Sequence, residues 1–67
     1  MAQGTVKWFN PIKGYGFITP EGGSADIFVY ISSVEKAGLR QLNEGQRVSY
    51  DVEANKGKQA AVNLQLL

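Results

Sequence analysis

Aromatic side chains stand at alternate positions in two short segments of this chain. Tyr15 and Phe17 are separated by a single residue, and so are Phe28 and Tyr30. Successive side chains on a β-strand point to opposite faces, so each pair would share one face of its strand. Exposed aromatic rings stack nucleobases of any identity, because every base has a π-face. The spacing therefore predicts a surface whose chemistry is base stacking.

Aliphatic residues between these rings indicate which face is buried. Ile18, Ile27 and Val29 alternate with the aromatic positions and would face water if the rings were internal. A shift of one residue exchanges the two faces of a strand, and one choice alone keeps the β-branched side chains together. The predicted core contains Val6, Ile18, Ile27, Val29, Val48 and Val52. The predicted aromatic face comprises Trp8, Tyr15, Phe17, Phe28 and Tyr30.

Lysines flank the aromatic segments. Lys7 and Lys13 are the charged residues of positions 1–20, which contain no acid. Cations beside stacking rings are suited to contact phosphates. Lys56 and Lys58, on either side of a glycine in a later turn, would extend the rim of the same surface. The net charge of +1 adds little support for a polyanionic partner, and solvated surface lysines are the alternative interpretation.

The composition argues against catalysis. The chain has 67 residues and contains neither cysteine nor histidine. It therefore lacks disulfides, the usual ligands of zinc and the commonest general base. Its serines have no histidine to activate them, so we predict a protein without enzymatic activity or a bound metal. No signal peptide and no apolar run of about 20 residues is visible, so we expect a cytoplasmic location and no membrane partner.

Turn residues divide the chain into short extended segments. The alternation of apolar and polar residues predicts strands over residues 5–9, 15–19, 26–31, 48–53 and 60–66, and a single helical turn over 34–37. Short strands without a long helix are typical of an all-β domain. Closing the sheet into a barrel protects its edges and encloses a core. Gly16 is expected on the inner face, where its small size would let the sheet coil tightly.

The chain resembles the bacterial cold-shock proteins in four segments that lie in the family's order and at its spacing. These segments are GTVKWFN at 4–10, KGYGFI at 13–18, DIFVY at 26–30 and LNEGQRV at 42–48. The resemblance implies a single cold-shock domain over 1–67, folded as a five-stranded antiparallel OB-type barrel. It also implies binding of single-stranded RNA and DNA, activity as an RNA chaperone that melts weak secondary structure, an influence on transcription or translation, and no cofactor.

Carrying the family's binding residues over by position gives a specific candidate site. It comprises Lys7, Trp8, Asn10, Lys13, Tyr15, Phe17, Asp26, Phe28 and Tyr30, with Lys56 at the periphery. The resemblance implies that Asp26 hydrogen-bonds a base edge. Tyr30 stands where the family usually has histidine, and Ile31 and Leu39 stand where it often has aromatic residues. The resemblance therefore predicts an intact centre and a weakened periphery.

Two alternatives compete with this interpretation. The RNA recognition motif has a similar aromatic segment, but Ile18 replaces its valine, Pro20 stands at its last aromatic position, and the chain is too short for its helices. The aromatic face would otherwise serve as a protein interface, since exposed aromatic residues are common in interfaces. We expect a monomer, and a strand-swapped dimer with its hinge in residues 32–45 is the alternative.

Overall fold

Five strands and one short helix make up the part of the chain that the structure describes. The structure, a computed structural model, describes residues 2–23, 25–55 and 57–67. The elements are β1 (Ala2–Asn10), β2 (Tyr15–Pro20), β3 (Ile27–Tyr30), α1 (Ile31–Lys36), β4 (Arg47–Asn55) and β5 (Lys58–Leu66). The strands form a closed barrel in the order β1-β2-β3-β5-β4, which confirms the predicted all-β five-stranded architecture. No helix of the described residues has the length and apolar character needed to cross a membrane.

One seam of the barrel corrects the antiparallel prediction. Four neighbouring pairs are antiparallel, but β3 and β5 run parallel. Antiparallel neighbours alternate in direction around a ring, and an odd number of strands cannot alternate without a break. A closed five-stranded barrel must therefore contain at least one parallel pair. The long connection through α1 and β4 supplies the crossover that a parallel pair requires.

The core is mainly aliphatic, as the sequence predicts, with several additions and one correction. Val6, Ile18, Ile27, Val29 and Val48 are each at most 6% exposed. Val34 of α1 and Leu42 join the same cluster and cover the barrel interior. Val52, predicted inside, is 44% exposed. Among the described residues, the pairing of β1 with β4 ends at Ala2 and Tyr50, so Val52 has no β1 residue beside it and lines an open groove with Ile27 and Tyr50.

A bulge in β5 breaks the predicted alternation near the end of the chain. The β4–β5 register moves from Ser49 opposite Gln65 to Asp51 opposite Val62, which leaves an extra residue on β5. Asn63 takes a left-handed backbone with φ of 53°, a conformation that asparagine tolerates better than most residues. The bulge leaves Leu64 buried while Val62 is only half-buried. Regular alternation over residues 60–66 predicts that Val62, Leu64 and Leu66 share one apolar face, and the bulge makes that prediction wrong.

Tyr50 is fully buried, and its hydroxyl has no hydrogen-bond partner in the described structure. A buried hydroxyl without a partner costs about 1–3 kcal/mol, so we expect Tyr50→Phe to raise the free energy of unfolding by about 1 kcal/mol. For a domain of this size, that corresponds to a rise in Tm of about 4–8 °C. Thermal and urea unfolding measure the effect.

The control for this substitution is Tyr30→Phe, because Tyr30 is 37% exposed whereas Tyr50 is fully buried. It should change stability by less than about 0.5 kcal/mol.

Burial also raises the pKa of Tyr50 above its ordinary value of 10.0 through desolvation. The native state then resists deprotonation, so stability is retained below pH 10 and falls as pH rises above it. The stability of Tyr50→Phe relative to the wild type should therefore grow over that range. A Tyr50→Phe protein that is less stable than the wild type would contradict the assignment of an unpartnered hydroxyl to Tyr50.

Candidate nucleic-acid interface

Five aromatic rings form a continuous surface on the outside of β1, β2 and β3. We call this surface the aromatic platform: Trp8, Tyr15, Phe17, Phe28 and Tyr30. In the β2–β3 register, Tyr15 lies opposite Tyr30 and Phe17 opposite Phe28. Centroids of neighbouring rings are 4.5–6.2 Å apart, with Phe17 and Phe28 the closest pair. The face predicted from alternation is therefore present, and its rings touch one another.

Trp8 reaches the aromatic platform because β1 contains a bulge. Val6 and Trp8 are two residues apart, so a regular strand would place both on one face. Val6 is 1% exposed and lies in the core. The β1–β2 register moves from Val6 opposite Ile18 to Trp8 opposite Phe17, which makes Lys7 the extra residue. The bulge turns Trp8 outward, where its ring centroid lies 5.2 Å from that of Phe17.

Gly16 provides the room that this arrangement needs. It is buried on the inner face of β2, opposite Phe9, as the sequence predicts. A Cβ at this position would press against the Trp8 carbonyl oxygen and lie 2.7 Å from Phe9 Cα. Both contacts are with backbone, which cannot rotate away. The close approach of β1 and β2 beside the bulge therefore requires glycine.

A polar cluster continues the same outer face beyond the rings. Lys7 Nζ lies 3.1 Å from Asp26 Oδ2, and Thr19 Oγ1 donates a hydrogen bond of 3.3 Å to Asp26 Oδ1. The structure thus brings together Lys7 and Asp26, two predicted site residues. Their side chains are 57% and 32% exposed, and an ion pair so accessible contributes little to stability. Both groups can therefore exchange this contact for one with a ligand at small cost.

Asn10 has a positioning role in the turn between β1 and β2. Its Oδ1 accepts hydrogen bonds from the backbone N–H of Ile12 at 2.9 Å and of Lys13 at 3.1 Å. Gly14 closes the turn with φ of 84° and donates its N–H to the Asn10 carbonyl at 2.8 Å. This geometry holds Lys13 exposed beside the start of β2. Asn10 thus fixes the turn that carries one of the predicted cations.

Lys58 joins the site, although the candidate set carried over from the resemblance omits it. Its Nζ lies over the Phe28 ring, 5.2 Å from the centroid. Together with four platform rings it lines an open groove of about 400 Å³. The sequence places Lys58 near the rim, but its contact with Phe28 depends on the β3–β5 pairing, which local patterns do not reveal. Lys56, its predicted neighbour on the rim, lies outside the described residues.

The two departures at the periphery lie in different surroundings. Leu39 is half-buried and packs against the core cluster. Ile31 begins α1, and its backbone N–H donates a 2.9 Å hydrogen bond to the Gly14 carbonyl. Ile31 therefore lies beside the β1–β2 turn, close to the start of the strand that carries Tyr15. Because the resemblance predicts a weakened periphery, we predict that an aromatic residue at either position would tighten binding.

The site also limits the chemistry available to it. Within residues 2–23, 25–55 and 57–67, no group of three His, Cys, Asp or Glu side chains is placed to hold a metal ion. The groups gathered on the outer face are rings, ammonium groups, one carboxylate and hydroxyls. Such groups bind planar and anionic ligands through stacking, hydrogen bonds and charge. A small barrel that displays them on its outer strands has the architecture of a nucleic-acid-binding protein.

Comparisons with known proteins identify the family within this class. Residues 2–67 match the family described as the 'Cold-shock' DNA-binding domain. The chain is 60% identical over 67 residues to the probable cold shock protein y4cH of Sinorhizobium fredii, covering 97% of each chain. It is 54% identical over 66 residues to cold shock protein CspA of Rhizobium meliloti, covering 96% of each. The major cold shock protein of Streptococcus pyogenes is 50% identical over 64 residues, covering 96% of this chain and 94% of that one.

The chain therefore belongs to the cold-shock domain family, and the resemblance found in its sequence is confirmed. Membership makes it a nucleic-acid-binding protein of the cold-shock class.

Proposed function

We propose that this protein is a single cold-shock domain over residues 1–67 that binds single-stranded RNA and DNA with low sequence specificity. The observation that carries the proposal is the aromatic platform, where contacting rings from three strands lie outside the barrel. Each base stacked on such a ring contributes about 1–3 kcal/mol. Several contacting rings can therefore hold several bases along one strand.

Stacking on the aromatic platform favours unpaired strands. In a duplex, each base is covered on both faces by its neighbours, so the rings cannot reach a π-face without unstacking it. A π-face is common to all four bases, which accounts for the low specificity we propose. The hydrogen-bonding groups of Lys7 and Asp26 lie at one end of the aromatic platform, where they would contact base edges or phosphates.

A ligand that binds the unpaired strand and not the duplex shifts the folding equilibrium of RNA by mass action. On this basis we propose that the protein melts weak RNA secondary structure and so influences transcription or translation in the cytoplasm. A short RNA hairpin with a fluorophore and quencher at its ends should open as the protein is added. A closed hairpin at protein concentrations that saturate an unstructured RNA would refute the chaperone activity.

Trp8 provides a direct test of binding, since its ring is part of the aromatic platform. Its fluorescence should be quenched when oligo-dT or oligo-U is added at low salt, and much less by a duplex of equal length. Circular dichroism establishes that the protein is folded in the same buffer. A folded protein whose fluorescence no oligonucleotide quenches would rule out the proposal.

Sedimentation of the protein without nucleic acid tests the separate expectation that it is a monomer.

Salt should weaken binding to a moderate extent. Three described lysines, Lys7, Lys13 and Lys58, lie at or beside the aromatic platform. Release of counterions from single strands gives a slope of about −0.7 per phosphate contact, so log K should fall with log[salt] with a slope of about −2. Anisotropy of labelled oligo-dT between about 50 and 500 mM KCl measures it. A slope near zero would mean that stacking alone carries the affinity.

A further inference from the structure

A lysine ammonium occupies the face of one ring in the aromatic platform. Lys58 Nζ lies over the Phe28 ring at 5.2 Å from its centroid. At this distance the negative face of the ring attracts a cation. Of the described residues that line the groove, Lys58 is the charged one, and the others are the rings of Tyr15, Phe17, Phe28 and Tyr30. The groove thus has an aromatic floor and one cationic wall.

The barrel places Lys58 there through its parallel seam. Phe28 of β3 lies opposite Ala60 of β5, and Lys58 is the first residue of β5. Lys58 itself is exposed. The attraction to the ring, and not burial, therefore keeps the ammonium in place. The side chain can rotate away once that attraction is replaced.

A nucleobase and the Lys58 ammonium cannot share this face of Phe28. Stacked aromatic groups lie at van der Waals contact, about 3.5–4 Å between carbon atoms. A base at that height would occupy the space between the ring and the ammonium. Stacking on Phe28 therefore requires that Lys58 leave the ring.

We propose that Lys58 is a displaceable cover of the Phe28 subsite. In the free protein its ammonium lies on the ring; when nucleic acid binds, a base takes its place and the ammonium moves to the phosphate beside that base. The inference rests on the proposed function, because it assumes that a strand stacks on the aromatic platform.

The chemistry of the lysine side chain favours a phosphate as its second partner. The ammonium has three donors, no acceptor and a compact charge on a flexible stem of four carbons. It can turn away from the ring without any backbone movement. A phosphodiester offers the negative charge that the apolar groove lacks, so the ammonium exchanges a weak contact for a charged one.

The first test compares the salt dependence of binding for Lys58→Ala and the wild type. Loss of one phosphate contact should reduce the slope of log K against log[salt] by about 0.7. The loss in affinity for labelled oligo-dT should thus be about fivefold larger at 50 mM than at 500 mM KCl. Lys58→Arg, which retains the charge, should keep the wild-type slope.

Arg47→Ala is the matched control, since it removes the same charge elsewhere. Arg47 lies opposite Thr5 on the β1–β4 seam, and its Nη2 forms an ion pair with Glu21 Oε1 at 3.2 Å. It should leave the slope unchanged. A wild-type slope in Lys58→Ala would overturn the inference and leave the proposed function standing, because the protein would still bind. If Lys58→Ala lost different amounts of affinity for oligo-dT and for oligo-dA, Lys58 would contact a base edge, and the inference would be overturned. Failure of the wild type to bind would instead refute the proposed function.

The second test uses the wild-type protein and reports on the cover directly. Ring current from Phe28 should shift the Lys58 Hε protons upfield of those of the other lysines in the NMR spectrum of the free protein. Saturation with oligo-dT should return them to the values of an exposed lysine. Lys58 Hε shifts that match the other lysines in the free protein, or that stay upfield in the complex, would each overturn the proposal.

Discussion

Phe17→Ala is expected to weaken the binding of single-stranded oligonucleotides by roughly 30-fold, which corresponds to about 2 kcal/mol. Phe17 lies at the centre of the aromatic platform, with its ring centroid 4.5 Å from that of Phe28 and 5.2 Å from that of Trp8. Removing it deletes one stacking surface and the lateral support of two others. Anisotropy of labelled oligo-dT is the appropriate measurement, because Trp8 fluorescence would itself respond to the lost neighbour.

Two comparisons separate stacking from general loss of apolar surface. Phe17→Leu keeps apolar bulk but has no π-face, so it should bind nearly as weakly as Phe17→Ala. Leu66→Ala removes an apolar side chain that is 46% exposed and lies outside the aromatic platform, so its affinity should match the wild type. Unfolding curves in the absence of nucleic acid establish that each variant is folded. A folded Phe17→Ala protein with wild-type affinity would remove the aromatic platform as the binding site.

Gly16→Ala is expected to lower the free energy of unfolding by about 3 kcal/mol, at the upper end of the cost of overpacking. The added Cβ would meet the Trp8 carbonyl oxygen and the Phe9 Cα, and neither can move without shifting β1. A small domain without disulfides has a stability of only a few kcal/mol, so much of this variant should be unfolded at 37 °C. Urea unfolding at low temperature measures the loss.

Gly22→Ala is the control for glycine replacement itself. Gly22 has φ of 97°, and a Cβ there would meet nothing within 4 Å. This variant should therefore show the cost of a left-handed backbone alone, about 1–2 kcal/mol. If Gly16→Ala were as stable as Gly22→Ala, the close approach of β1 and β2 would not be the reason for glycine at position 16.

Gly16→Ala should also disturb binding in the fraction that remains folded. The bulge at Lys7 holds Trp8 on the outer face, and Gly16 lies against the backbone of that bulge. Pushing the strands apart changes the position of the Trp8 ring relative to Phe17. Affinity measured at low temperature should fall, whereas Gly22→Ala should bind like the wild type.

Local alternation predicts a side chain's face wherever a strand is regular. β2 and β3 pair residue for residue without a bulge, so Phe17 and Phe28 lie outside and Ile18 and Val29 inside, as predicted. The same rule fails on β5, where Asn63 forms a bulge, and at Val52, which lies beyond the end of the β1–β4 pairing. Bulges and strand ends depend on the partner strand, and a single segment carries no information about its partner.

The sequence contains a conflict on β1 that only the bulge resolves. Val6 in the core and Trp8 on the surface are incompatible with a regular strand, because the two residues are two positions apart. Both placements are correct in the structure, since Lys7 is an extra residue opposite β2. The glycine that permits this bulge lies on β2. The position of Trp8 is therefore a property of two strands together.

The four matching segments carried the resemblance to the cold-shock family. The residue types and spacing by themselves predicted an exposed aromatic face and a β-branched core. They did so because alternation is a local property of an extended backbone. The tertiary structure alone decided the parallel seam, the bulge at Lys7 that turns Trp8 outward and the placement of Lys58 over Phe28. Each of these depends on which strands become neighbours when five of them close a ring, and that is fixed by packing across the whole barrel.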